Sequence, residues 1–271
     1  MTGAGEEGDG GVKLAFGDWD SASGRSAVIN GDIYAAIESD TVRSRAIVDG
    51  EDEWANASLY LVSGALLNDQ SLEPCQNCDF MNWGTWGGQI EFKDGYHDVT
   101  ADFNLGWYIV GEISTLDDLA GITGTATYDG SAIGNVAALS NGIWNTYVAT
   151  GDAHMDWDFG QRAGMLEITN FDESGPYGPL NVSGRMDMPG VLAGNAEWNK
   201  FGGPLDGSLG TGQSALGIAG AANGSFVKNG SDVVGGAIGN WNVGNSVYKA
   251  TGVFGMGKTG TGGPVNLPSP N

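Results

Sequence analysis

The stretch 153–159, AHMDWDF, alternates so strictly that a half-buried β-strand is the one regular structure it suits. Ala153, Met155, Trp157 and Phe159 fall on one side, and His154, Asp156 and Asp158 on the other. Successive side chains of a strand point to opposite faces, so this period of two puts one face in a core and the other in water. Short segments of the same kind recur between Gly121 and Gly257: TGTATYD, WNTYVAT, GMLEITNF, LNVSGRMD, a segment near PLDGSLG, SALGIAGAANGSFV, DVVGGAIGNW and SVYKATGVFGM. Gly, Asn and Asp turns separate them, with no helical pattern between. Many short strands at short spacing predict a sandwich or barrel, and about eight or nine suffice to close a barrel filled by side chains or by one small ligand. In the last segment Tyr248, Ala250, Gly252, Phe254 and Met256 share a face. That mix of small and large residues suits a tapering interior.

The N-terminal part reads as a smaller β-rich region. VKLAFGDW and ASLYLVSGALL are strand segments, DIYAAIES is a short helix or strand, and EDEW at 51–54 is a charged, solvated turn. GQIEF followed by Asp94-Gly95 predicts a hairpin, and GWYIVGEI at 106–113 a strand. STLDDLAG at 114–121 suits one helical turn, with Ser114 or Thr115 as N-cap and Asp117 and Asp118 at its positive end. The expected organisation is a flexible leader at 1–12, a β-rich region with a cysteine loop at 13–120, a barrel at 121–258 and a Gly/Pro-rich tail at 259–271. The 48 glycines follow no collagen period, and 9 Trp, 8 Tyr and 9 Phe supply enough bulk for a core.

Charge narrows the partners. The net charge is -22, and residues 1–120 alone hold 22 acidic against 5 basic side chains. Nucleic acid and anionic lipid are disfavoured, because phosphate contacts require Lys and Arg. The acidity suits solubility, or attraction for cations or a basic partner. No run of 18 apolar residues offers a transmembrane helix. A lipid-facing barrel fits poorly, since the strands read as shorter than the required ten or so residues and carry polar faces. The opening MTGAGEEGDGG has neither the basic nor the apolar region of a signal peptide and reads as a mature or excised fragment.

Cys75 and Cys78, in PCQNCDF, form a C-x-x-C pair. With no second pair or adjacent histidine, zinc is poorly supported, and c-type haem attachment would need a His after Cys78. A redox site belongs at a helix start in a βαβ context. A local disulfide pinning a loop in an oxidising compartment is the expectation. Of the two histidines, His154 lies on the polar strand face with Asp156 and Asp158, as a solvent-facing edge or a cation site. His97, beside Tyr96, would need an apolar pocket to ligate haem. Trp83, Trp86, Trp107 and Tyr108 offer one unless they belong to the core. Trp83, Trp86, Tyr96 and His97 are thus the candidate ligand-binding residues. No metal set and no cofactor is indicated. Nucleophile-elbow, zinc-protease and phosphate-loop signatures are missing, so the expectation is a non-enzyme.

TGTATYDGSAIGNV (123–136), MDWDFGQRAGMLEITNFD (155–172), AANGSFVKNGSDVVGGAIGNW (221–241) and YKATGVFGMGK (248–258) resemble the β-barrel domain of transferrin-binding protein B, and more closely its soluble and sensor-fused relatives in Gram-negative bacteria. WGTWGG after the cysteine pair resembles a segment upstream of this barrel in the sensor-fused chains. The resemblance covers 121–258 well and 70–120 loosely. It implies an eight-stranded antiparallel barrel, an extracytoplasmic (secreted or cell-surface) location and a binding role toward a small ligand such as haem or an iron compound, or toward a protein partner. The chain lacks a lipobox cysteine near its start, and with one barrel it departs from a two-lobed receptor. Its low-complexity ends raise an alternative of another class, a structural subunit of an extracellular filament or surface assembly held by strand or tail exchange.

Overall fold

The computed structural model describes residues 15–20, 26–29, 32–34, 41–48, 51–63, 78–94, 97–188, 199–262, 265 and 267. The first seven strands are β1 (Ala15–Asp20), β2 (Ser26–Ile29), β3 (Asp32–Tyr34), β4 (Thr41–Val48), β5 (Glu51–Ser63), β6 (Met81–Asp94) and β7 (His97–Gly111). They form one sheet in the order β3-β2-β1-β7-β6-β5-β4. The expected hairpin joins β6 to β7, but Asp94 belongs to the strand, opposite His97, and not to the turn. EDEW is not a loop. It opens β5, where Glu51 pairs with Val48 and Trp54 with Arg45. Backbone pairing with β4 holds this charged segment in a strand.

After a single turn of helix, α1 (Leu116–Leu119), eight strands follow: β8 (Thr125–Ser140), β9 (Ile143–Asp158), β10 (Ala163–Phe171), β11 (Leu180–Asp187), β12 (Lys200–Leu209), β13 (Leu216–Asn229), β14 (Asp232–Gly244) and β15 (Tyr248–Gly260). They close into an antiparallel barrel in the order β10-β11-β12-β13-β14-β15-β8-β9. Two segments read as separate strands, WNTYVAT and AHMDWDF, are one 16-residue strand, β9, in unbroken register with β8. Gly151-Asp152 between them resembles a turn in sequence but sits inside the ladder. The reversal lies instead at Asn141-Gly142, where φ is +52° and +79°. Positive φ at both central residues is the geometry of a tight type I′ hairpin. β15 runs to Gly260, past the expected boundary at 258.

The barrel is filled. Tyr128, Met155, Trp157, Phe171, Phe201, Phe226, Trp241, Tyr248 and Phe254 are buried in its interior. Their rings interlock, Trp157 edge-on to Phe226 at 5.1 Å and Phe171 edge-on to Trp241 at 4.7 Å. Glycine makes room for them. Trp157 stands directly opposite Gly164, and Phe201 opposite Gly224. His154, Asp156 and Asp158 face outward, as the alternation predicted. The strands are longer than the sequence suggested, 16 residues in β8 and β9. With an apolar interior and an acidic exterior, the barrel inverts the polarity of a lipid-facing one. Among the described residues no helix is long and apolar enough to cross a membrane.

The seven-stranded sheet packs on the outside of the barrel. Ile133, Val227, Ile238 and Val253 form an outward apolar patch covered by Trp83, Trp107 and Ile109. Burying one such side chain stabilises by about 1.5–3 kcal/mol. The linker then closes one end of the barrel. Ser114 N donates to the Phe226 carbonyl at 2.9 Å, and Asn199 Nδ2 donates to the Ser114 carbonyl at 3.0 Å. Thr115 caps α1 through a reciprocal pair of hydrogen bonds with Asp118, and Leu119 inserts into the core. These bonds, with Lys228 Nζ 2.9 Å away, hold the Asp118 carboxyl at a pKa of about 2.

Candidate binding surface

The register of the β6–β7 hairpin decides the fate of the aromatic site expected around His97. Trp83 pairs with Ile109, whereas His97 pairs with Asp94 beside the turn. From position 83 to 94 the strand advances 11 residues, roughly 35 Å at the usual rise. The hairpin therefore does not bring Trp83 and His97 together. Trp83 is buried, stacked on Trp107 at 5.9 Å, and belongs to the sheet–barrel contact. Trp107 Nε1 also donates to Asn135 Oδ1 at 3.3 Å, and burial raises the Tyr108 hydroxyl to about 12. Cys75, Tyr96 and the side chains of Trp86 and His97 lie outside the described residues. Cys78 is half-buried at the entry to β6, its carbonyl accepting from Met81 N at 3.0 Å.

His154 sits between carboxylates on the outer barrel wall. Its Nδ1 lies 2.6 Å from Asp129 Oδ1 and its Nε2 3.5 Å from Asp156 Oδ2. Burial works against its charge, but the Asp129 contact and then Asp156 outweigh it and raise its pKa. Asp129 in turn accepts from Thr259 Oγ1. Among the described residues no group of three His, Cys, Asp or Glu is placed to hold a metal ion. The cluster stitches β8, β9 and β15 together.

The open end of the barrel, opposite α1, carries the feature that sequence reasoning missed. β10 ends at Phe171 because Asn170 and Asp172 adopt φ of +53° and +60°, turning the chain away. β9 does not end with it. Its pairing with β10 runs from Asp158 only to Asp152, and the last bond across that seam is Asp172 N to the Thr150 carbonyl, 3.1 Å. Residues 143–149 keep β8 on one side and have no strand on the other among the described residues. The β8–β9 hairpin thus projects past the barrel with an open edge. On it Ile143, Trp144 and Val148 are 66, 45 and 43% exposed, among the few large apolar side chains of the described residues left so open.

Beneath this edge lies a cleft of about 1020 Å³, between β9 and the loop after β10. Asp172 and Tyr147 are part of its lining and belong to a buried polar cluster. Asp172 is 5% exposed and accepts from Tyr147 Oη at 2.7 Å and Tyr248 Oη at 3.1 Å. Burial raises the Asp172 pKa, the two hydroxyls only partly countering it, and burial first, then the neighbouring Asp172, pushes both tyrosines up. Tyr177 packs edge-on to Tyr248 at 6.3 Å and donates to the Leu139 carbonyl. The cluster ties the roots of the projecting hairpin to β15 and to the β10–β11 loop, so the edge is held in place. The signal available in sequence was Asn141-Gly142 followed by Ile143 and Trp144. It marks a tight turn with an apolar tip, but not the neighbour that stops short.

No protein-family model matches the chain, and no curated protein matches it. Solved structures do. The chain is similar to the isotype 1 transferrin-binding protein B of serogroup B Neisseria meningitidis, with 18% identity and a TM-score of 0.43, over 80% of this chain and 35% of that one. It is similar to the apo haemoglobin receptor HpuA of Kingella denitrificans, with 14% identity and a TM-score of 0.36, over 96% of this chain and 100% of that one. The resemblance to transferrin-binding protein B read from the sequence recurs in the first. The chain spans about a third of that protein's length.

Proposed function

We propose that this chain is a non-enzymatic binding module acting outside the cytoplasm, and that it takes a protein partner at the open barrel end. The exposure of Ile143, Trp144 and Val148 on a projecting hairpin carries this reading. Apolar side chains on a solvated strand edge risk aggregation unless a partner uses them. The interior argues against a small ligand such as haem within the barrel, because large rings fill it. Both polar clusters, His154 with Asp129 and Asp172 with its tyrosines, bond within the fold and leave no poised nucleophile. The extracytoplasmic setting is supported by the family resemblance and by the expected Cys75–Cys78 disulfide. Tail exchange into filaments is disfavoured by the start of the tail itself, since Thr125 Oγ1 donates to the Gly262 carbonyl of its own barrel.

Calorimetric titration against haem, transferrin and haemoglobin, with the wild type and an Ile143→Ser/Trp144→Ser/Val148→Ser variant, tests this. The expected result is saturable binding of one of the proteins that the triple variant loses, with no saturable haem site. A stoichiometric haem site untouched by the triple substitution would overturn the proposal.

A further inference from the structure

We propose that the open edge of β9 receives an extended, basic segment of the partner as an added β-strand. The inference rests on the binding reading above and specifies its occupant. Backbone polar groups alternate between the two edges of a strand. The Thr150 carbonyl points toward the β10 side, where it meets Asp172 N. The register from 143 to 158 has no bulge, so the N–H and C=O of Val148, Thr146 and Trp144 point to the same side. There they meet no strand among the described residues. An extended segment laid along 143–149 pairs with these groups, while its alternate side chains meet Trp144 and Val148 on one face and Ile143 and Tyr147 on the other.

Charge selects the occupant. The acidic residues lining the cleft into which that strand settles are Asp152, Asp172 and Glu173, and among the described residues its lining includes no Lys, Arg or His. A basic residue does sit near, Lys249, but it stands opposite Ala137 on β8, two strands and about 10 Å from the open edge. With a chain net charge of -22, a second copy of this protein is repelled, whereas a segment alternating Lys or Arg with apolar residues is attracted.

The test uses an acetylated and amidated heptapeptide alternating Lys and Val. It is titrated into the intact protein, following the backbone amide signals of Trp144, Thr146 and Val148 by NMR. Those amides should shift and gain exchange protection. The Glu/Val counterpart should bind at least tenfold more weakly, and higher salt should weaken the Lys/Val peptide. Val148→Pro removes an N–H that faces the open side and so costs no bond to β8. It should weaken binding at least tenfold with the circular dichroism unchanged. As a control that leaves the protein untouched, N-methylating the peptide on alternate residues should abolish binding in one phase and not in the other. Equal binding by Val148→Pro, by both charge types or by both methylation phases overturns the inference. So does a wild-type dimer that Val148→Pro makes monomeric, because the occupant is then a second copy. If the serine triple variant loses a protein partner that Val148→Pro keeps, strand addition fails while the binding surface stands.

Discussion

Gly224 on β13 separates a rule of sequence from a fact of packing. Glycine inside a strand costs about 0.5–1 kcal/mol relative to alanine, and Gly→Ala at a compatible site stabilises by about 0.4–1 kcal/mol through the unfolded chain. Both considerations favour Gly224→Ala. In the barrel, however, the new Cβ would lie 2.5 Å from the Ile238 carbonyl oxygen and 2.5 Å from Phe201 Cζ, where ordinary contact begins at 3.4 Å. The ring could swing, but the carbonyl belongs to the β14 ladder and cannot. Overpacking of this kind costs about 1–3 kcal/mol. With the backbone clash placing it near the upper end, the entropic gain subtracted leaves about 2 kcal/mol of destabilisation. At about 2–4 °C per kcal/mol for a domain of this size, Tm should fall by about 4–8 °C. Gly217, on the same strand, has nothing within 4 Å of the place where an alanine Cβ would stand, so Gly217→Ala should raise Tm by about 1–4 °C. Scanning calorimetry on the pair reads two shifts of opposite sign. Shifts of the same sign would refute the account in which Phe201 stacks over Gly224 to fill the barrel.

Three further outcomes are expected. His154 has its pKa raised in the fold, so its contribution is complete below pH 6.5 and fades as pH rises through the folded value; urea midpoints of wild type and His154→Gln should differ at about pH 6 and converge by about pH 9. Asp172 has its pKa raised by burial, so the fold binds its proton more tightly than the unfolded chain does, and stability falls as pH rises from about 4 through the folded value. Asp172→Asn, which keeps an acceptor for both tyrosines and tolerates positive φ, should raise Tm at about pH 7 and lose that advantage in acid; a lower Tm near neutrality counts against the burial argument. Trp107→Ala should cost about 3–5 kcal/mol of local stability. Hydrogen exchange should quicken in β6 and β7 and spare β10 to β12, and uniform quickening would show that sheet and barrel unfold as one unit.

The strands themselves were legible because alternation is a local property. Met155 and Trp157 against His154 and Asp156 needed no neighbour to declare an inside and an outside, and Tyr248, Phe254 and Met256 declared the same barrel interior. The capped turn at 115–119 was local too. Strand length was not. Gly151-Asp152 reads as a turn, yet pairing with Ala132 and Ser131 carries β9 straight through it, since a backbone ladder outweighs the preference of two residues. Nor was the fate of the aromatic residues local. Trp83 and His97 lie 14 positions apart in the chain, and only the hairpin register sends one into the sheet–barrel seam and leaves the other at the turn.

The sequence by itself determined that this chain makes acidic β-structure with an aromatic core, because side-chain period and charge are written residue by residue. The tertiary structure alone decided where the barrel is open. An edge is a relation between strands of unequal length, so, among the described residues, positions 143–149 have an open side because β10 turns away at Asp172 while β9 goes on.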